Sequence, residues 1–312
     1  MVGTRIGDNN IQRRVEDEIF RHGTDGKGTA FRLMVFTALG ISILFLVAVV
    51  VQVSVDGLPF LFDRSGNFIQ GTLRSRSTDE LLGISQGLIG TFWIAIFVIV
   101  LSFPIGISAA IYLEEYAPRN WLTNVIDIAI RNLAGVPSVV YGLLGLAIFV
   151  SPLGRSTLFA GGITLAILVL PIVVITSAEA VRAVPDSLRQ GAYGVGATKW
   201  DVIRTQVLPY AAPGILTGTL LSLARAVGEA APLILVGAIT GFLPDGSLFS
   251  LDQLNERFTA MPIVIVDWVQ ETGRDQGFGS AAAAAIIVLL VFVVAMNSVA
   301  VTLRNYFEKK RG

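Results

Sequence analysis

Six long apolar segments decide what this chain can fold into. A helix crosses the hydrocarbon core of a bilayer with about 20 predominantly apolar residues. The sequence predicts six membrane-spanning helices, over residues 33–55, 84–113, 134–151, 158–178, 211–240 and 280–303. Charged residues make up only 15% of the chain, against about 25% in soluble domains. The predicted fold class is therefore an all-α integral membrane protein in contact with lipid.

The remaining segments are short, and they leave no room for a large soluble domain. We divide the chain into a polar N-terminal segment, 1–30, and a transmembrane domain, 31–312. The apolar stretch 262–269 is too short to cross the membrane. It is expected at the interface or against the outer ends of the helices.

Lys and Arg in the flanking segments indicate the orientation, because cytoplasmic loops carry an excess of both. With six spans, one side of the membrane receives 16 of these residues, the other receives 6, and Arg225 lies within a span. Both termini are therefore predicted to be cytoplasmic, in a multi-pass protein of the cell membrane.

Several kinds of chemistry are excluded or disfavoured by composition. The chain has no cysteine and one histidine, His22, so thiolate sites, histidine metal centres and a Ser-His-Asp triad are not expected. Zero net charge gives no support for nucleic-acid binding. The closest approach to a phosphate-binding loop, 23–28, has the wrong spacing. If ATP drives this protein, another subunit hydrolyses it, and the chain itself is neither an enzyme nor the holder of a cofactor.

The segment between the fourth and fifth spans predicts a compact projection on the cytoplasmic side. Two short helices are expected, over 187–193 and 198–207, with Asp186 as the N-cap of the first. Gly194 and Gly196 are expected to end the first helix and allow a sharp turn, and Leu208-Pro209 is expected to end the second. Such a projection suits docking in a groove of a partner; the alternative is an ordinary connecting loop.

This segment resembles the cytoplasmic loop motif of ABC importer permeases, E-A-A-x3-G-x9-I-x-L-P. The matching positions are Gln190, Gly191, Ala192, Gly196, Leu208 and Pro209. Gln190 replaces the glutamate, Gly191 the first alanine and Gln206 the isoleucine. The resemblance implies that the loop forms a coupling helix held in a cleft of the ATPase subunit.

A wider resemblance links the chain to phosphate ABC importer permeases of the PstA type. It rests on residues 111–116, 135–144, 184–189, 214–218, 224–232 and 261–263. The sister permease subunit, of the PstC type, shares several of these features. The resemblance implies the type I importer permease fold, with a homologous permease, ATP-binding subunits and an extracytoplasmic phosphate-binding protein as partners. This subunit would translocate inorganic phosphate inwards with energy from ATP.

Arg225 and Glu229 stand four residues apart inside the fifth predicted span. Charge within a membrane span is costly and is a functional hypothesis by default. Arginine offers a planar fork suited to phosphate oxygens, and Glu229 can neutralise it in the empty state. Gly228 and Pro232 leave room for local unwinding. The resemblance implies a role in translocation for this pair; the alternative is a structural salt bridge.

Three other functions remain open at this point. A permease for another oxyanion, such as sulfate or molybdate, would keep the same loop. A secondary transporter would carry ion-coupling carboxylates of its own and often inverted repeats, whereas Glu229 is the single deep carboxylate here. A membrane-embedded enzyme would need a catalytic dyad or metal cluster.

Overall fold

The computed structural model describes residues 26–240 and 251–309 and divides the chain into two units, Met1–Gln52 and Val53–Gly312. The described residues form ten α-helices, several of them containing a π-helical turn. These are α1 Gly26–Gln70, α2 Ser85–Tyr116, α3 Trp121–Ala134, α4 Ser138–Leu153, α5 Leu158–Arg182, α6 Asp186–Gly194, α7 Lys199–Gly228, α8 Ala231–Val236, α9 Met261–Glu271 and α10 Gly277–Lys309. A short 3₁₀ turn, Leu251–Asn255, precedes α9. The predicted N-terminal segment 1–30 lies mostly outside the described residues.

Five of these helices are long and apolar enough to cross a membrane: α1, α2, α5, α7 and α10. The pair α3 and α4 meets the same test when taken together, although the two helices are bent by 98° at residues 135–137. Pro137 lacks a backbone donor and disfavours a helical residue before it, which explains the break. The Tyr141 hydroxyl donates to the Leu133 carbonyl at 2.9 Å and ties the two helices together.

In the first unit, the described residues 26–52 belong to α1 and are almost all exposed within the chain. Leu44 and Phe45 are among its large exposed apolar side chains. Such a surface is stable only against lipid or another apolar surface. The helix also continues beyond the predicted span end at residue 55, as far as Gln70.

In the second unit, α5 is the central helix, and α2, α4 and α7 pack around it. The Ser102 hydroxyl of α2 donates to the Ala166 carbonyl of α5 at 2.6 Å. Gly218 of α7 lies so close to α5 that an added Cβ would be 2.5 Å from the Cβ of Thr176. Small residues at crossings are typical of membrane helices, which associate through close packing.

A second apolar cluster surrounds α9. Trp268 is buried between Phe68 and Phe278, with ring centroids 6.1 and 5.9 Å away. The apolar stretch 262–269 therefore packs against neighbouring helices. The loop before α10 is fixed to the loop after α1, because Asp275 accepts hydrogen bonds from the Ser77 amide and hydroxyl at 2.9 and 2.6 Å.

The fifth predicted span, 211–240, is not one helix. The helix α7 begins earlier, at Lys199, and ends at Gly228, and the short α8 follows after a break. Pro232 in the first turn of α8 cannot supply the hydrogen bond that a continuous helix would need. The predicted span therefore contains most of α7, the break and α8, and the break lies where Gly228 and Pro232 leave room for local unwinding.

Candidate functional site

The first candidate site is the end of α7, where Arg225 occupies the last turn. Its Nε donates to Glu229 Oε1 at 3.3 Å. Glu229 is the first non-helical residue, with φ −81° and ψ 117°, and its amide donates to the Ala226 carbonyl. The two side chains therefore meet across the helix end, and not along one uninterrupted helix face.

The two members of this pair differ in exposure. The Arg225 side chain is 57% exposed within the chain, whereas that of Glu229 is 19% exposed. Arg225 shares the exposed face of α7 with Leu221, Thr217 and Gly228, while the opposite face packs in the core. A cation directed into hydrocarbon costs at least about 2.5 kcal/mol. This face of α7 is therefore better suited to contact with water, or with a polar surface of another subunit, than to contact with lipid.

The second candidate site is the segment from α6 to the start of α7, which we call the coupling segment, residues 186–209. Gly196 has φ +85°, the left-handed region that favours glycine. Its amide donates to the Tyr193 carbonyl at 2.9 Å, and the Ala197 amide donates to the Ala192 carbonyl at 3.2 Å. These bonds close α6, so the predicted sharp turn at Gly196 is present.

Two details of this segment differ from the sequence prediction. Asp186 is the first helical residue and caps no amide; it instead accepts from Arg189 Nη1 at 3.1 Å. The second helix also does not end at Leu208-Pro209 but continues into the rest of α7. A π-helical turn, Ile203–Val207, directly precedes this proline. The wider turn accommodates the ring and the missing donor, in the way that local π adjustments do in membrane helices.

The motif positions divide between the inside and the outside of the segment. Ala192 and Leu208 pack against the apolar cluster formed by Val184, Val202 and Val207, among others. The other four positions are exposed, namely Gln190, Gly191, Gly196 and Pro209.

Sequence reasoning missed three exposed apolar side chains beside the turn, on the same segment. They are Tyr193, Val195 and Trp200, and Val195 is 86% exposed. The sequence signal that could have identified them is the position of these apolar residues in a polar, glycine-rich stretch.

It also missed the ion pairs that hold the segment. Arg189 donates to Glu115 Oε1 from Nε and Nη2 at 3.1 and 2.9 Å. Arg182 pairs with Glu114. The partners of these two carboxylates lie 68 and 74 positions away in the sequence, so local spacing does not indicate either pair.

The chain belongs to the family described as binding-protein-dependent transport system inner membrane component, which it matches over residues 102–310. It is similar to a phosphate transport system permease protein, PstA 1, of Mycobacterium tuberculosis, with 33% identity over 231 residues, 73% of each chain. The PstA protein of Yersinia pestis is 33% identical over 229 residues, 73% of this chain and 74% of its own. A probable ABC transporter permease protein of Bacillus subtilis, YqgH, is 38% identical over 192 residues, which cover 57% of this chain and 62% of YqgH.

Solved structures show the same fold at low sequence identity. A bacterial alginate ABC transporter matches with a TM-score of 0.60 and 13% identity, over 88% of this chain and 93% of that chain. The MetNI methionine ABC transporter matches with a TM-score of 0.53 and 17% identity, over 72% and 94%. The fold is therefore that of ABC importer permeases, as the sequence predicted.

Proposed function

We propose that this chain is the membrane-spanning permease subunit of an ATP-driven importer that moves inorganic phosphate into the cytoplasm. The observation that carries the proposal is Arg225, a guanidinium exposed beside a helix break and the single charged residue of Leu208–Gly228. Similarity to PstA proteins of several organisms supports phosphate as the substrate.

The break is suited to transient anion binding. Arg225 presents a planar fork to phosphate oxygens, and Glu229 pairs with the same side chain when the anion is absent. Because the pair is formed through one Nε contact, the remaining guanidinium donors are free of Glu229. Because Glu229 competes for the guanidinium, the anion binds weakly enough to be released. The exposed face of α7 then faces the passage shared with a homologous permease subunit.

Energy enters at the coupling segment in this proposal. Gln190, Gly191 and the exposed apolar group Tyr193, Val195 and Trp200 dock in a groove of the ATP-binding subunit. An extracytoplasmic phosphate-binding protein delivers the anion on the other side, and both termini lie in the cytoplasm.

The test is uptake of labelled phosphate into proteoliposomes that contain the assembled importer, with either the unchanged chain or Arg225→Gln. Loss of charge-assisted hydrogen bonds worth about 1.5–3 kcal/mol predicts a fall in uptake of more than about tenfold. Arg131→Gln is the matched control, because Arg131 forms an exposed ion pair with Asp127 on α3. If phosphate uptake is unchanged in Arg225→Gln, the proposed passage at Arg225 is wrong.

The substrate is tested in the same vesicles. Excess sulfate or molybdate added outside should leave phosphate uptake unchanged. Uptake of labelled sulfate or molybdate in place of phosphate would show that the guanidinium serves another tetrahedral oxyanion, and the phosphate assignment would then fail.

A further inference from the structure

Three consecutive residues at the end of α2 contact three successive helices, α5, α6 and α7. Glu114 pairs with Arg182 at the end of α5. Glu115 pairs with Arg189 of α6 at 2.9 Å. The ring of Tyr116 lies under the Lys199 ammonium at the start of α7, 4.9 Å from its centroid. We call these three contacts the clamp.

The three contacts of the clamp are made by successive side chains at the end of α2. Successive side chains on a helix point about 100° apart, and here they leave the π-helical turn Tyr112–Tyr116. The end of α5, the helix α6 and the start of α7 are therefore each in contact with the end of α2.

Arg189 is the centre of the clamp. Besides Glu115, its guanidinium donates to the Val184 carbonyl at 2.6 Å and to the Val181 carbonyl at 3.0 Å. Val181 lies in the last turn of α5, and Val184 lies two residues beyond its end. One side chain thus joins α2, α5 and α6 through a fork that lysine does not possess.

The ion pair at the centre is better shielded than its neighbours. The side chains of Arg189 and Glu115 are 18% and 8% exposed, whereas that of Arg182 is 55% exposed. Exposed pairs contribute little, but removing one partner of a shielded pair leaves the other charge without compensation. Glu115 therefore carries more of the link than Glu114.

We infer that Glu115, supported by Glu114 and Tyr116, is a positioning residue that makes α2 move together with the coupling segment. The inference rests on the proposed function, in which an ATP-binding subunit acts on that segment. The clamp extends the action to α2, a second membrane helix, in addition to α7, which continues directly from the segment.

The first experiment measures phosphate transported per ATP hydrolysed by the assembled importer in proteoliposomes. Glu115→Gln keeps the side-chain size and removes the charge. We expect hydrolysis to persist while transport per ATP falls roughly fivefold or more, the lower range of ordinary coupling between sites. Glu115→Asp, which keeps the charge, should retain more of the ratio than Glu115→Gln. The control is Glu271→Gln at the end of α9, which breaks a pair with the exposed Arg274 and should leave the ratio unchanged.

A purely structural role for Glu115 would lower the amount of assembled complex and leave the ratio as it is, which would overturn the inference. Should Glu115→Gln fail to assemble, Glu114→Gln replaces it, because its partner Arg182 is largely exposed. A smaller fall in the ratio is expected there, and an unchanged ratio contradicts the clamp.

The second experiment does not depend on the substrate. The chain contains no cysteine, so spin labels are attached at Ser108→Cys on α2 and Ser187→Cys on α6, both exposed positions. The label distance in the assembled complex should stay the same with and without trapped ATP, and Glu115→Gln should make it shift on ATP binding. A shift in the otherwise unchanged chain overturns the clamp. Absence of phosphate uptake with a constant distance overturns only the substrate assignment.

Discussion

The turn at Gly196 gives the sharpest test of the coupling segment. Gly196 has φ +85°, and an added Cβ would meet no atom within 4 Å. Gly196→Val therefore causes no collision, and its cost is backbone strain alone. A side chain in the left-handed region costs about 1–2 kcal/mol, and a β-branched one is a genuine outlier there.

Gly194→Val is the matched control, two residues earlier on the same segment. A Cβ at Gly194 also meets no atom within 4 Å, and this glycine does not have a positive φ. The added side chain at residue 194 should therefore be tolerated. The difference between the two variants isolates the cost of the turn from the cost of a larger side chain.

Strain of about 1–2 kcal/mol corresponds to a factor of about 5–30 in the population of the native turn. We expect phosphate uptake by the assembled importer to fall by a factor in that range for Gly196→Val and to remain near the unchanged value for Gly194→Val. The assay compares uptake in proteoliposomes at equal amounts of complex, measured by size-exclusion chromatography. Equal uptake by the two variants would refute the reasoning and remove the turn from the coupling role.

Three further outcomes follow from the structure. Gln190→Glu, at an exposed motif position, should change uptake by no more than about twofold, because surface substitutions have small effects; a large loss would show that the amide is required. Gly218→Val should destabilise the purified chain by about 1–3 kcal/mol through overpacking against Thr176, whereas Gly194→Ala should not. Equal melting temperatures of the two variants would contradict the close approach of α7 and α5. Hydrogen bonds from the Ser77 hydroxyl and amide hold the pKa of Asp275 below its ordinary value of about 3.9. Its stabilising contribution is therefore complete above about pH 4 and is lost as the pH falls through the lowered pKa. Hydrogen exchange of residues 71–84, corrected for intrinsic rates, should increase in that acid range, and Asp275→Asn should remove this dependence.

Much of the fold was predictable because the bilayer imposes a length on each helix. The fourth predicted span, 158–178, corresponds closely to α5, Leu158–Arg182, because one uninterrupted apolar run fixes both its existence and its ends. The third, 134–151, overlaps α4, Ser138–Leu153, but hydropathy carries no information on direction, and the 98° bend to α3 had no periodic signal.

In the candidate sites, too, some features could be predicted from the sequence and others could not. The Gly196 turn follows from local backbone chemistry, and it was predicted. The ion pair of Arg189 with Glu115 joins residues 74 positions apart, and sequence spacing carries no information about such a pairing. The end of α7 at Gly228 was predictable in part. Glycine and proline in the sequence indicated a possible helix break, but only the structure shows that Glu229 lies beyond the helix.

The continuity of α7 links the two candidate sites mechanically. From Lys199 to Arg225 the chain rises about 40 Å at 1.5 Å per residue, within one helix that Leu208-Pro209 does not interrupt. A helix resists twisting, because every turn is hydrogen-bonded to the next. A rotation of the coupling end about the helix axis therefore reappears as a sideways sweep of the guanidinium at the far end. In the proposed importer, a rotation that the ATP-binding subunit imposes at Trp200 would therefore change the direction of Arg225, and with it the contact to Glu229, at the other end of the same helix.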